Sequence, residues 1–73
     1  MQIKVKPIGL VKSFMEEREM GLPDGATSAS LIACLRLPQE LKMVVFVNGK
    51  RRDLNEMLED GDEIKLVSVL SGG

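Results

Sequence analysis

Histidine, tryptophan and tyrosine are absent from these 73 residues, and Cys34 is the single cysteine. One thiol without an imidazole excludes a disulfide framework inside the chain, a four-cysteine iron–sulfur site and a zinc site of the usual ligand types. Aromatic rings are scarce too, with only Phe14 and Phe46, and ten basic side chains nearly balance eleven acidic ones, a formal charge of −1. Nucleic-acid binders usually carry a basic excess, and single-strand binders add stacking rings, so no nucleic-acid partner is expected. Long apolar runs are missing as well. Nothing approaches the roughly 20 residues of a bilayer span. The opening "MQIKVKPIGLVK" alternates polar and apolar residues where a secretory signal needs a continuous apolar block. The expectation is therefore no membrane partner and a cytoplasmic location. No glycine-rich phosphate cradle, Ser/His/Asp set or paired carboxylates across a cleft can be found, so the chain reads as neither an enzyme nor a cofactor binder.

What remains is an ordinary globular composition, 44% apolar and 29% charged. Its length allows one domain, residues 1–73, near the lower limit for a single hydrophobic core. Gln2 to Lys6 alternate, which places Ile3 and Val5 on one face of a half-buried strand that Pro7 and Gly9 should interrupt. "EREMGL", Glu17 to Leu22, reads as a second strand before the turn chemistry of Pro23-Asp24-Gly25. From Thr27 the period becomes helical. Thr27 or Ser28 can cap the first free N–H groups, Leu31, Cys34 and Leu35 share an apolar face, and Pro38 closes a helix of about ten residues. "KMVVFVNGK", Lys42 to Lys50, reads as a central strand ending in Asn48-Gly49, a strong hairpin signal because both residues tolerate positive φ. A short partner follows over Lys50 to Asp53. Leu54 and Leu58 then lie one helical turn apart, Asp60-Gly61-Asp62 reads as another turn, and Glu63 to Val69 as the last strand. That strand has Ile64 and Leu66 on one face and Lys65, Val67 and Val69 on the other. Strands, one helix, then strands again in so short a chain predict an α+β, β-grasp fold: a mixed sheet of four or five strands on one helix. A ferredoxin-like sandwich is the alternative, but it needs a second full helix, and "LNEMLED" is short for that role.

Few side chains point to chemistry. Cys34 reads as a small core residue with no base to activate it. Lys50-Arg51-Arg52 reads as a solvated hairpin or a partner contact. The acidic stretch Glu59 to Glu63 lacks the ligand spacing of a calcium loop. The conspicuous feature is the tail "SVLSGG". Glycine permits close approach from every side, so a Gly-Gly end can enter a narrow site on another protein and present its carboxylate. Three extended residues, Ser71 to Gly73, reach about 10 Å. Ordering such a tail costs roughly 1–2 kcal/mol per residue, so docking energy has to come from the folded body. Val67, Val69 and Leu70, on the face of the last strand that the helix leaves open, form the apolar strip best placed to supply it.

"VFVNGKRRDLNEMLEDGDEIKLVSVLSGG", Val45 to Gly73, resembles the ubiquitin-like sulfur carriers of the ThiS/MoaD kind. The shared pattern is a strand ending in Asn-Gly, a leucine-bearing short helical turn, an acidic "DGDE" turn, a final strand and a terminal Gly-Gly. "LPDGATSASLIACL" is similar to that family's turn into its single helix. The resemblance implies a carrier cycle. An E1-like adenylating enzyme, using ATP, activates the carboxylate of Gly73; a sulfur donor, a sulfurtransferase or cysteine desulfurase, displaces AMP to leave a thiocarboxylate; and a receiving synthase subunit takes the sulfur for molybdopterin, tungstopterin or thiamine thiazole. It further implies that Gly73 holds the sulfur, that Gly72 and Ser71 thread the partner's site from a flexible tail over 70–73, and that Val67, Val69 and Leu70 dock. Two other readings stay open: a protein modifier joined to lysines through Gly73, and a binding module with an inert tail.

Overall fold

The computed structural model describes residues 1–38 and 41–69. Strand β1 (Gln2–Ile8) is followed by a short 3₁₀ turn over Gly9–Ser13, β2 (Arg18–Gly21), helix α1 (Ser28–Leu35), β3 (Lys42–Val47), β4 (Lys50–Arg52) and β5 (Glu63–Val69). The five strands form one sheet in the order β2-β1-β5-β3-β4. β1 and β5 pair in parallel, and every other neighbouring pair is antiparallel. This is the β-grasp arrangement.

Alternation decides which side of each strand is dry. Ile3 and Val5 on β1, Val45 and Val47 on β3, and Ile64 and Leu66 on β5 are all buried, and Leu31 of α1 joins them in one core. Five of these and Leu31 are at most 2% exposed, so the layer between helix and sheet is closed to water. The opposite, outer face of the sheet has no helix over it among the described residues.

Three sequence expectations need correction. β1 does not stop at Pro7 but continues to Ile8. The Lys4 N–H donates to the Asp62 carbonyl beside β5. By alternation the Pro7 nitrogen therefore faces the other way, toward β2, whose pairing has already ended at Val5 opposite Arg18. A missing N–H costs nothing where there is no partner strand. Second, Asp53 to Glu59 is not helical. The Asp53 carboxylate accepts from the Asn55 N–H at 2.8 Å, and the segment then runs as a strap beside α1, with Leu58 N–H donating to the Ala26 carbonyl at 2.8 Å. Side-chain capping of the local backbone wins over the weak leucine spacing. Leu58 is buried, whereas Leu54 and Met57 are exposed. Third, α1 ends at Leu35 with Arg36 in the left-handed region, φ 53°, two residues ahead of Pro38. Its buried arc is centred between Leu31 and Leu35, with Ser28 and Ile32 on the far flank, so Cys34 falls on the other flank and is exposed. The helix start is as expected: Thr27 accepts from the Ser30 N–H at 3.2 Å, and the Ser30 hydroxyl accepts from the Thr27 N–H at 2.8 Å, a reciprocal cap.

Candidate docking face

The acidic turn before β5 is a junction of backbone and side-chain bonds. Asp60 accepts from the Gln2 N–H at 2.6 Å, and the Gly61 N–H donates to the Gln2 carbonyl at 2.7 Å, which ties the turn to the start of β1. Asp62 accepts from the Asn48 side-chain amide at 2.9 Å and from the Glu59 N–H at 2.8 Å. Asn48 in turn accepts from the Glu63 N–H at 3.0 Å, and its own N–H donates to the Glu63 carbonyl at 2.9 Å. Asn48 and Gly49 sit at φ 52° and 86°, which the tight hairpin requires. The Asn-Gly and Asp-Gly-Asp signals thus hold one another, and together they set where β5 begins and in which register it runs. The acidic side chains are structural here. Among the described residues, no group of three or more His, Cys, Asp or Glu side chains is placed to hold a metal ion.

From that start, β5 carries Glu63, Lys65, Val67 and Val69 on the outer face. Pairing register assembles the rest. Ile8, Val67 and Val44 lie directly abreast across β1, β5 and β3. One step away lie Lys6, Lys65, Phe46 and Arg51, abreast across β1, β5, β3 and β4. On the other side Val69 faces Lys42. Val67 and Val44 are half-buried and Val69 is 46% exposed, so the strip expected at Val67 and Val69 exists and is wider than β5. The 3₁₀ turn packs against β5 and sends Val11 into the core, while Leu10 and, just past the turn, Phe14 are exposed. Leu70, Ser71, Gly72 and Gly73, the other expected site residues, lie outside the described residues.

Ile8, Val44 and Phe46 escaped the sequence reading. A usable signal existed for Val44 and Phe46: five apolar residues in a row, Met43 to Val47, cannot all face the helix, so alternate ones must line the other face. Lys50-Arg51-Arg52 forms β4, in which Arg52 bonds Glu56 at 2.7 Å while Arg51 faces outward beside Phe46. Elsewhere the surface carries open hollows, one of about 660 Å³ lined by Ala29, Met43, Val44, Arg51 and Leu54 among others. The hollow beside the strap, about 110 Å³, is polar and is lined by Ser28, Asn48, Glu59 and Asp62 among others. No helix among the described residues is long and apolar enough to cross a membrane.

Comparison with known proteins agrees with this geometry. The crystal structure of small archaeal modifier protein 1 of Haloferax volcanii superimposes with a TM-score of 0.72 at 17% identity, covering 90% of this chain and 94% of that one. A putative molybdopterin converting factor, subunit 1, of Pyrococcus furiosus gives 0.78 at 22% identity, covering 94% and 98%. A chain in the complex of subunits 1 and 2 of the molybdopterin-converting factor of Helicobacter pylori gives 0.68 at 28% identity, over 100% of both chains. No curated protein sequence matches the chain. The family model described as the ThiS family matches residues 8–73, from the last residue of β1 through Gly73. On that match and this fold, the chain belongs to the ThiS family.

Proposed function

We propose that this protein is a sulfur carrier. The observation that carries the reading is the family match running through Gly73, on a sheet whose β5 presents Val67 and Val69 outward immediately before the tail. In the proposed cycle an E1-like adenylating enzyme binds the outer face and takes Ser71, Gly72 and Gly73 into its ATP site. The Gly73 carboxylate attacks the α-phosphorus of ATP, pyrophosphate leaves, and an acyl adenylate forms. A sulfur donor of the sulfurtransferase or cysteine desulfurase class then attacks the carbonyl carbon with the terminal sulfur of its cysteine persulfide, and AMP departs to leave an acyl disulfide. A second thiol, from the adenylating enzyme or a small-molecule reductant, attacks the donor's sulfur, forms a disulfide with it and releases the thiocarboxylate that a receiving synthase subunit consumes. The carrier is a co-substrate, contributes no catalytic residue, and needs no cofactor of its own because the partner uses the ATP. Dependence on ATP puts this work in the cytoplasm. Val67, Val69 and Leu70 dock, Gly72 and Ser71 thread, and Gly73 bears the sulfur. The complex of the two Helicobacter pylori subunits supports a synthase subunit as the receiver.

Likeness to a small archaeal modifier protein favours a second reading, in which the same adenylate is passed to lysines of target proteins. Incubation with the adenylating enzyme of the same cell and ATP tests the step both readings share. Intact mass should show the AMP adduct on the full chain and none on a chain lacking Gly73. A tail-deleted chain that still supports growth wherever the full chain is required would contradict both readings and leave an inert-tailed binding module.

A further inference from the structure

We propose that the outer face selects a protein surface with an apolar centre and an acidic rim, and that Lys65 and Arg51 are the specificity-determining residues. The inference rests on the carrier reading and names the chemistry of the partner that takes the tail. The pairing register places Lys65 between Lys6 on β1 and Phe46 on β3, with Arg51 on the far side of Phe46. Two ammonium groups directly abreast on one sheet face repel each other and disfavour the isolated fold. Lys6 finds partial relief in Glu63 at 3.5 Å. Lys65 and Arg51 have no carboxylate within ion-pair distance among the described residues. A local arrangement that works against the fold points to a use outside it.

The charge is also unevenly spread. The outer face holds Lys4, Lys6, Lys42, Arg51 and Lys65 against Glu19, Glu63 and the Glu17 carboxylate 3.8 Å from Lys4, a net of +2 on a chain of net −1. The remainder of the surface is therefore strongly acidic, and it repels a polyanion approaching at large. Between the cationic row and Lys42 lies the apolar row Ile8, Val67 and Val44. An extended phosphate backbone or an anionic bilayer gains little from that row, whereas a folded protein with its own apolar centre buries it. Because β5 carries both Lys65 and the route to the tail, the occupant is the protein that receives the tail. Rim charges of this kind act mainly on the association rate and its salt dependence.

The test uses the full chain and the adenylating enzyme of the same cell. The expected result is an association rate that falls about tenfold or more between roughly 50 and 300 mM salt. The Lys65→Glu, Arg51→Glu double variant should bind about 10- to 100-fold more weakly. Arg18→Glu, the same change of charge as either single reversal but opposite Val5 on the other face, should stay within twofold of wild type, whereas Lys65→Glu or Arg51→Glu alone should each weaken binding by more than that. Lys65→Glu places a carboxylate abreast of Lys6, so its urea midpoint should equal or exceed that of wild type, which separates lost docking from lost folding. If the wild-type chain is adenylated but neither salt nor double reversal alters docking by more than twofold, the inference fails and the carrier reading stands. Binding through the same two residues to phosphatidylserine vesicles or an oligothymidine strand, with enzyme docking unchanged, would also overturn it. If the wild-type chain neither docks nor is adenylated, the carrier reading itself fails, and the inference with it.

Discussion

Replacing Asp62 by alanine removes a carboxylate that is only 8% exposed and accepts two hydrogen bonds, from the Asn48 amide at 2.9 Å and the Glu59 N–H at 2.8 Å. A bond to a charged acceptor contributes about 1.5–3 kcal/mol. Both donors belong to exposed residues that can turn to water once the acceptor is gone, so the low end applies to each, and the loss comes to about 2–3 kcal/mol. A domain of this length has roughly 4–11 kcal/mol in total, so the change is a large fraction of the whole. With a urea dependence near 1 kcal/mol per molar, the unfolding midpoint followed by circular dichroism should fall by about 2–3 M. The melting temperature should drop by about 10–20 °C. Asp62→Asn keeps one acceptor but points an amide N–H at a second donor, and should lose about 1–2 kcal/mol. Below its melting temperature the alanine variant should still be adenylated at Gly73, since the acidic turn serves the fold rather than the chemistry. A midpoint shift under about 0.5 M, or a stable variant with no adenylation, would refute the structural role assigned to this motif.

Leu66 is fully buried on β5, so Leu66→Ala should cost about 2–5 kcal/mol through lost contacts and a residual cavity; a chemical denaturation curve close to wild type would contradict the packing described. Arg36 occupies the left-handed region at φ 53°, where glycine is relieved of strain but gains entropy in the unfolded chain. Arg36→Gly should therefore raise stability by about 0.5–1 kcal/mol, and a lower urea midpoint would show that the arginine side chain holds something the backbone argument omits. Cys34 is exposed, so an aromatic disulfide reagent should label it fully in native buffer, and Cys34→Ser should change stability by no more than about 0.5 kcal/mol. Labelling only in denaturant would return the thiol to the core.

Elements with a clean period were legible. β5 runs over the residues expected from alternation, Glu63–Val69, and the Asn48-Gly49 turn joins β3 to β4 as its positive-φ residues require. What escaped depends on information that a linear period does not carry. Pro7 continues β1 because β2 is short, a fact of sheet neighbours rather than of the proline. Cys34 and Leu35 look equivalent relative to Leu31 until the sheet chooses which flank of the helix is dry. Leu54 and Leu58 mimic a helical turn, yet Asp53 caps its own backbone first. For the site, Val67 and Val69 could be read from their strand. The apolar run Met43 to Val47 could have placed Val44 and Phe46 on an outward face, but Ile8 and Arg51 carry no such signal, and only the register brings all four abreast from β1, β3 and β4.

The most direct test of the account is the intact mass of the chain isolated from its own cells, fragmented to read its C-terminus. A sulfur carrier predicts a fraction of free chains ending at Gly73 in which one carboxylate oxygen is replaced by sulfur, and loss of that species when the adenylating enzyme is deleted. Chains that continue past Gly73 uncleaved, or that end there only as unmodified carboxylate under conditions where the receiving pathway is active, would contradict it.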